Sequence, residues 1–188
     1  VLSIYVERVG GGWGDRHPAW RLSRQLSGGN LLEINAHELD FMLWLCGPAR
    51  RVYAVGGTYL DHRLDYADAA FVAITFASGA TGVLQSTAIT TLGSYAGRFD
   101  CVDGSAVVKQ LFGGEISYLL RSDGASTQTV TPDEMKTKNP VAAEVHAWLD
   151  SIVNDTPAPV PFEEARRNVA VAEAAYAAIE TGEAQVVS

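Results

Sequence analysis

Between residues 51 and 130 the sequence is cut into seven short runs rich in Val, Ile, Phe, Tyr and Thr: 51–60, 67–77, 81–90, 96–102, 106–111, 115–121 and 127–130. The breaks carry Ser78-Gly79, Asp103-Gly104, Gly113-Gly114 and Asp123-Gly124, dipeptides that close hairpins because one residue takes a left-handed or turn conformation cheaply. Connections this short have no room for a crossover helix, so a parallel doubly wound sheet is excluded here and an antiparallel meander is expected. A further strand is expected over 1–9, ended by Gly10-Gly11-Gly12, with a loop to 18 and a short helix over 19–26. Past the meander, 141–153 and 163–180 have helical periodicity around the stiff Pro157-Ala158-Pro159-Val160-Pro161 bend. The order helices, sheet, helices predicts an α+β fold: a large, predominantly antiparallel open sheet with helices packed on one face.

The stretch 27–47 reads as one helix, bounded by the capping residues Ser27 and Asn30 and by Gly47-Pro48. Its apolar residues cover most of the cylinder, which buries it on several sides. Glu33, His37 and Asp40 are spaced four and three apart, so they share one face of an otherwise apolar helix, and a cleft is where that face belongs. A neutral imidazole accepts a proton near physiological pH, and a carboxylate beside it fixes its tautomer, which makes His37 with Glu33 the leading candidate acid/base pair. The alternative is a buried histidine satisfied by hydrogen bonds. Zincin chemistry is excluded, because the second histidine of that pattern would stand at Phe41; no metal is expected, a Glu33–His37–Asp40 site being the minor alternative. His17 lies in a basic loop, placed to meet a ligand; His62 and His146 are isolated polar residues.

The chain has 188 residues, 47% of them hydrophobic, enough for one good core, so 1–188 is expected to form a single domain. Its net charge of −8 disfavours nucleic acid. Four arginines, Arg8, Arg16, Arg21 and Arg24, stand against two acids in the first 30 residues and could serve a local anion, or simply face solvent. The two cysteines, Cys46 and Cys101, form no metal or disulfide pattern, which fits a reducing, cytoplasmic setting. No apolar run reaches the roughly 18 residues of a membrane span. The Gly10–Gly14 cluster fails G-x-G-x-x-G and opens no long helix, so no phosphate cradle is read there. The chain opens directly on strand-forming residues rather than on methionine, which suggests that an upstream part has been removed.

Trp20-Arg21, Ser27-Gly28-Gly29-Asn30-Leu31-Leu32-Glu33, His37-Glu38-Leu39-Asp40 and Trp44-Leu45-Cys46-Gly47 together resemble the C-terminal domain of the Gfo/Idh/MocA oxidoreductases. The resemblance covers nearly the whole chain and implies the fold of a glyceraldehyde-3-phosphate dehydrogenase-like C-terminal domain. It also implies an NAD- or NADP-binding N-terminal Rossmann domain, absent here, and a sugar or polyol substrate. His37 becomes the proton acceptor or donor during hydride transfer, with Glu33 where the family usually carries aspartate. Trp20 and Arg21 match a pair that reaches the dinucleotide, although Trp20 could equally anchor a core. His17, Asn30 and Asn35 are placed as substrate contacts, Asn35 standing where glycine is common. The family's Glu-Lys-Pro motif is missing, since none of Lys109, Lys136 and Lys138 precedes a proline. The other class of reading is a non-catalytic ligand-binding or dimerisation module with a structural His37.

Both alternating sets of Ala70-Phe71-Val72-Ala73-Ile74-Thr75-Phe76 are apolar or nearly so, and Val83, Ile89, Val107 and Val108 extend the trend. An apolar outer sheet face needs a second layer, and a two-fold copy of the same chain is the simplest source, making a homo-oligomer, at least a dimer, the expectation.

Overall fold

The computed structural model describes residues 1–11, 18–111, 113–124, 126–135 and 139–187. Its strands are β1 (Ser3–Val9), β2 (Ala49–Gly57), β3 (Ala69–Phe76), β4 (Thr81–Thr87), β5 (Ser94–Asp100), β6 (Gly104–Val108), β7 (Ile116–Leu120), β8 (Gln128–Val130) and β9 (Gln185–Val186). Each of the seven meander runs holds one strand, shifted at its ends by up to three residues. The nine form one sheet in the order β8-β7-β6-β5-β1-β4-β3-β2-β9.

The meander is interrupted in space. β1 enters between β4 and β5, antiparallel to β5 but parallel to β4, with Val6 opposite both Leu84 and Gly97. The sequence expectation of a strand over 1–9 holds, but its position comes from non-local pairing that turn chemistry does not encode. Skipping one strand requires a step of about 9.6 Å, twice the ~4.8 Å strand spacing, which the short 88–93 connection spans.

The helices are α1 (Arg24–Ser27), α2 (Asn30–Glu33), α3 (Ala36–Cys46), α4 (Pro132–Met135), α5 (Pro140–Val153) and α6 (Phe162–Thr181), with a 3-10 turn at Ala19–Leu22. α3 and α6 cover the inner sheet face. Leu39 and Met42 of α3 and Val171, Ala172, Ala175 and Ala178 of α6 share a buried cluster with Val6, Val52, Ala54, Val72, Ile74 and Leu84. The alanines of α6 let its backbone lie close over β2. α5 starts on an Asn139 cap, whose side chain accepts from the Val141 and Ala142 amides, and of its residues only Ser151 is buried.

The expected single helix over 27–47 is three pieces. Gly28 ends α1 in the left-handed region, Gly29 turns the chain, and α2 lasts one turn. The Asn30 carbonyl then accepts from both the Ile34 and the Asn35 amides, 3.1 Å each. That extra residue in the turn is a one-turn widening, and α3 restarts at Ala36.

The outer sheet face is also less uniform than expected. Ala70, Val72, Ile74 and Phe76 point inward and are buried, while Phe71, Ala73 and Thr75 point outward. Phe71, Tyr53 and Val55 are 50%, 43% and 50% exposed, yet Arg51, Arg98 and Asp100 share this side. Val108 belongs to the inner face, where it is buried.

Candidate active site

The helix break sets the geometry of the candidate residues. Glu33, at the end of α2, is engaged by a residue of the preceding 3-10 turn. Its carboxylate pairs with the Arg21 guanidinium at 2.5 Å, and Arg21 in turn lies 5.1 Å from the centroid of the Trp20 ring. The 3-10 turn therefore brings Trp20, Arg21 and Glu33 together, with Trp20 42% exposed rather than anchoring a core. His37 and Asp40 stand exposed on α3, and among the described residues no side chain hydrogen-bonds the imidazole. The regular turn expected from Glu33 to His37 is interrupted by the extra residue in the Asn30 turn, and Arg21 holds the Glu33 carboxylate. His17 lies outside the described residues.

Behind this surface runs a buried polar chain that spacing alone did not assemble. Glu38 is 1% exposed, and its carboxylate accepts from Arg8 (3.0 Å), from the Tyr95 hydroxyl (2.7 Å) and from Asn35 Nδ2 (2.9 Å). Asn35 Oδ1 accepts from the Ser86 hydroxyl at 2.6 Å, and Ser86 Oγ accepts from Asn30 Nδ2 at 3.1 Å. Asn30, Asn35 and Ser86 are 4%, 0% and 2% exposed. Asn35 is thus corrected as a substrate contact: both ends of its amide are engaged inside the protein. Burial, with the hydrogen bond to Glu38 adding to it, pushes the Tyr95 hydroxyl well above the ordinary tyrosine range. A carboxylate this deep is tolerated only with such partners. One signal was available in the sequence, since Arg8 has the same parity as the inward Ile4 and Val6 of β1 and so had to find a buried acceptor.

Among the described residues no group of three or more His, Cys, Asp or Glu is arranged to hold a metal ion. Nor do they form a dinucleotide cradle: after β1 and Gly10-Gly11, the next described helical element is the 3-10 turn Ala19–Leu22.

Residues 3–107, more than half of the chain, match the model of the GFO/IDH/MocA C-terminal domain. The chain belongs to the GFO/IDH/MocA family. Solved structures with the same fold include levoglucosan dehydrogenase in complex with NADH (19% identity, all of this chain and 58% of that one, TM-score 0.86). Another is UDP-N-acetylglucosamine 3-dehydrogenase from Acidithiobacillus ferrooxidans (22% identity, 95% and 53%, TM-score 0.77). A third is aldose-aldose oxidoreductase from Caulobacter crescentus complexed with glycerol (24% identity, 99% and 55%, TM-score 0.83). This GFO/IDH/MocA chain spans little more than half the length of each.

Proposed function

We propose that this chain is the substrate-binding and catalytic-histidine half of an NAD(P)-dependent oxidoreductase acting on a sugar, polyol or related hydroxy compound. The observation that carries the reading is His37, exposed on the first turns of α3 in a chain of this family. The names of the three structural neighbours, all sugar or aldose oxidoreductases, support the substrate class. Residues 1–188 act as one substrate-binding and dimerisation domain, and a separate Rossmann domain supplies most of the nucleotide site, with Trp20 and Arg21 touching its edge. The nicotinamide, when bound, takes or gives the hydride. His37 takes the proton from the substrate hydroxyl, or returns it to the carbonyl, while Arg21 holds the Glu33 carboxylate.

The exposed Tyr53, Val55 and Phe71, beside a groove of about 500 Å³ that Tyr5, Tyr53, Val83 and Arg98 help to line, support pairing of two copies through the outer sheet face. No helix of the described residues is long and apolar enough to cross a membrane. Cys46 and Cys101 are both free thiols, which supports a cytoplasmic setting.

In the protein carrying its nucleotide-binding domain, His37→Ala is expected to lower turnover by roughly 10²–10⁴-fold, the range for a positioned acid/base, with far-UV circular dichroism unchanged. Wild-type turnover in that variant overturns the assignment. Because Glu33 is engaged by Arg21 instead of His37, a non-catalytic binding module is the second reading. A folded two-domain protein that binds nucleotide and polyol but transfers no hydride would establish it.

A further inference from the structure

Among the described residues two apolar surfaces are left uncovered, and they adjoin. The first is α5. A helix of 14 residues is marginal in water by itself and owes its stability to the face it buries, yet of this one only Ser151 is buried. Val141, Val145, Trp148, Leu149 and Ile152 are spaced as a single face, and all five are 45–65% exposed. At about 100° per residue Ser151 falls roughly a quarter of a revolution from the middle of that stripe, so the side of α5 that touches the rest of the chain is not its apolar side. The second surface is a groove of about 430 Å³ on the inner face of the sheet, walled by Phe41 and Leu45 of α3, Val108 of β6, Ile116 of β7 and Met135 of α4. α3 and α6 lie over β1, β2, β4 and β9, and the layer of long helices stops short of β5–β7. None of the described side chains that line the groove is charged. Met135 lines it and α5 starts five residues later, within ~18 Å of extended chain, so a helix ~10–12 Å across can touch both surfaces.

We propose that the α5 stripe and this groove form one docking seat, occupied by an apolar helix of the nucleotide-binding domain. The seat rests on the reading of this chain as one half of a two-domain oxidoreductase. Connectivity names the occupant: Val1, the residue before which that domain joins, itself lines the groove, so the joining segment enters directly over it. A second copy of the chain is assigned to the opposite, outer face of the sheet, and a single two-fold interface closes a dimer. Apolar walls without a charged side chain select aliphatic and aromatic side chains over a nucleotide or a free anion. The helix in the seat completes the layer that an apolar inner sheet face requires, and gives α5 the partner that a helix of its length needs.

The test is hydrogen–deuterium exchange, read by mass spectrometry, on the protein carrying its nucleotide-binding domain and on the 188-residue chain. Peptides from 141–153, and those covering Val108 and Ile116, are expected to exchange slowly in the two-domain protein and fast in the chain alone. Val145→Glu puts a better helix former on an exposed position, so it should leave the unfolding midpoint of the 188-residue chain unchanged. In the two-domain protein it should speed exchange of 141–153 by roughly 10–100-fold, the worth of one buried aliphatic side chain. If the variant does not fold in the two-domain protein, the two wild-type exchange maps decide; if the 188-residue chain does not stay in solution, wild type against Val145→Glu in the two-domain protein decides. Equal exchange of 141–153 in both proteins, protection that grows with protein concentration and so marks a second copy, or unchanged exchange in Val145→Glu would each overturn the proposal. The hydride-transfer assay on His37→Ala is independent of this exchange. A protected α5 in a two-domain protein that transfers no hydride would sink the oxidoreductase reading and spare the seat; turnover with an unprotected α5 would do the reverse.

Discussion

Gly29 and Gly47 form a matched pair that separates backbone strain from packing. Gly29 has φ +70 and ψ −178, Gly47 has φ +85 and ψ −172, and both lie in a region that side-chain-bearing residues avoid. Alanine at either position meets the same strain, about 1–3 kcal/mol. Their surroundings differ. A Cβ on Gly47 would meet nothing within 4 Å, whereas one on Gly29 would lie 2.9 Å from Tyr176 Cζ and still closer to its hydroxyl oxygen. Tyr176 on α6 is 3% exposed and its hydroxyl accepts from the Leu31 amide at 3.1 Å, so the ring cannot retreat without overpacking and without orphaning that amide. Overpacking costs ~1–3 kcal/mol and an unsatisfied buried donor ~1–3 kcal/mol. Gly47→Ala should therefore lose about 1–3 kcal/mol and Gly29→Ala roughly 3–9 kcal/mol, against a typical total of ~5–15 kcal/mol. Urea unfolding followed by circular dichroism reads the difference, and Tyr176→Phe in the Gly29→Ala background should recover part of it by double-mutant cycle. Coincident midpoints for the two alanine variants, or strict additivity in the cycle, would refute the claim that the Gly29 turn is locked against α6.

Alkali should expose the hindered tyrosines. Burial pushes Tyr5 up to about 12, helped by its hydrogen bond to Glu7, and pushes Tyr95 and Tyr176 higher still. A folded pKa above the unfolded one contributes stability fully present below about pH 10 and lost as pH rises through the folded value. Absorbance of the tyrosinate should show the contribution of Tyr5, Tyr95 and Tyr176 appearing only well above pH 10, with unfolding; a single native transition near pH 10 for all seven tyrosines contradicts this. Burial likewise raises the Cys46 thiol, so a disulfide-exchange reagent at pH 8 should label Cys101 fast and Cys46 only after denaturation. Light scattering should find a dimer that Phe71→Asp splits without loss of helicity; a wild-type monomer at tens of micromolar rules out pairing through the sheet.

What was legible in the sequence was local. Ser78-Gly79 and Gly113-Gly114 announce their turns through backbone chemistry carried by two residues, so the strands between such pairs were readable in order and type. β1 was readable as a strand but not as the parallel neighbour of β4, because the step that places it is a choice among distant edges. The two-residue β9 and the one-turn α4 are too short to carry a periodic signal. At the site, spacing put Glu33 and His37 on one helical face, and the structure interrupts the helix between them. Four residues separate Glu33 from His37, but whether they form one regular turn depends on Asn35, which Ser86 and Glu38 capture from the side. Arg21 then takes the carboxylate that the spacing assigned to His37.

That capture also explains why His37 faces outward. α3 is apolar over most of its surface, so hydrophobic burial alone would leave its rotation weakly determined. At about 100° per residue, Asn35, Glu38, Leu39, Met42 and Cys46 fall on one side, and all five are buried. His37, Asp40 and Trp44, at spacings of three and four, form the opposite stripe and are all exposed. The two polar anchors at the start of the helix decide between these faces: Glu38 finds donors on β1 and β5, Asn35 finds Ser86 on β4, and neither would find them if α3 turned by half a revolution. An unpaired buried carboxylate costs several kcal/mol, more than the difference between burying one apolar stripe and another on so greasy a helix. The orientation of the candidate catalytic histidine is therefore set from inside the sheet, by residues that never touch its imidazole.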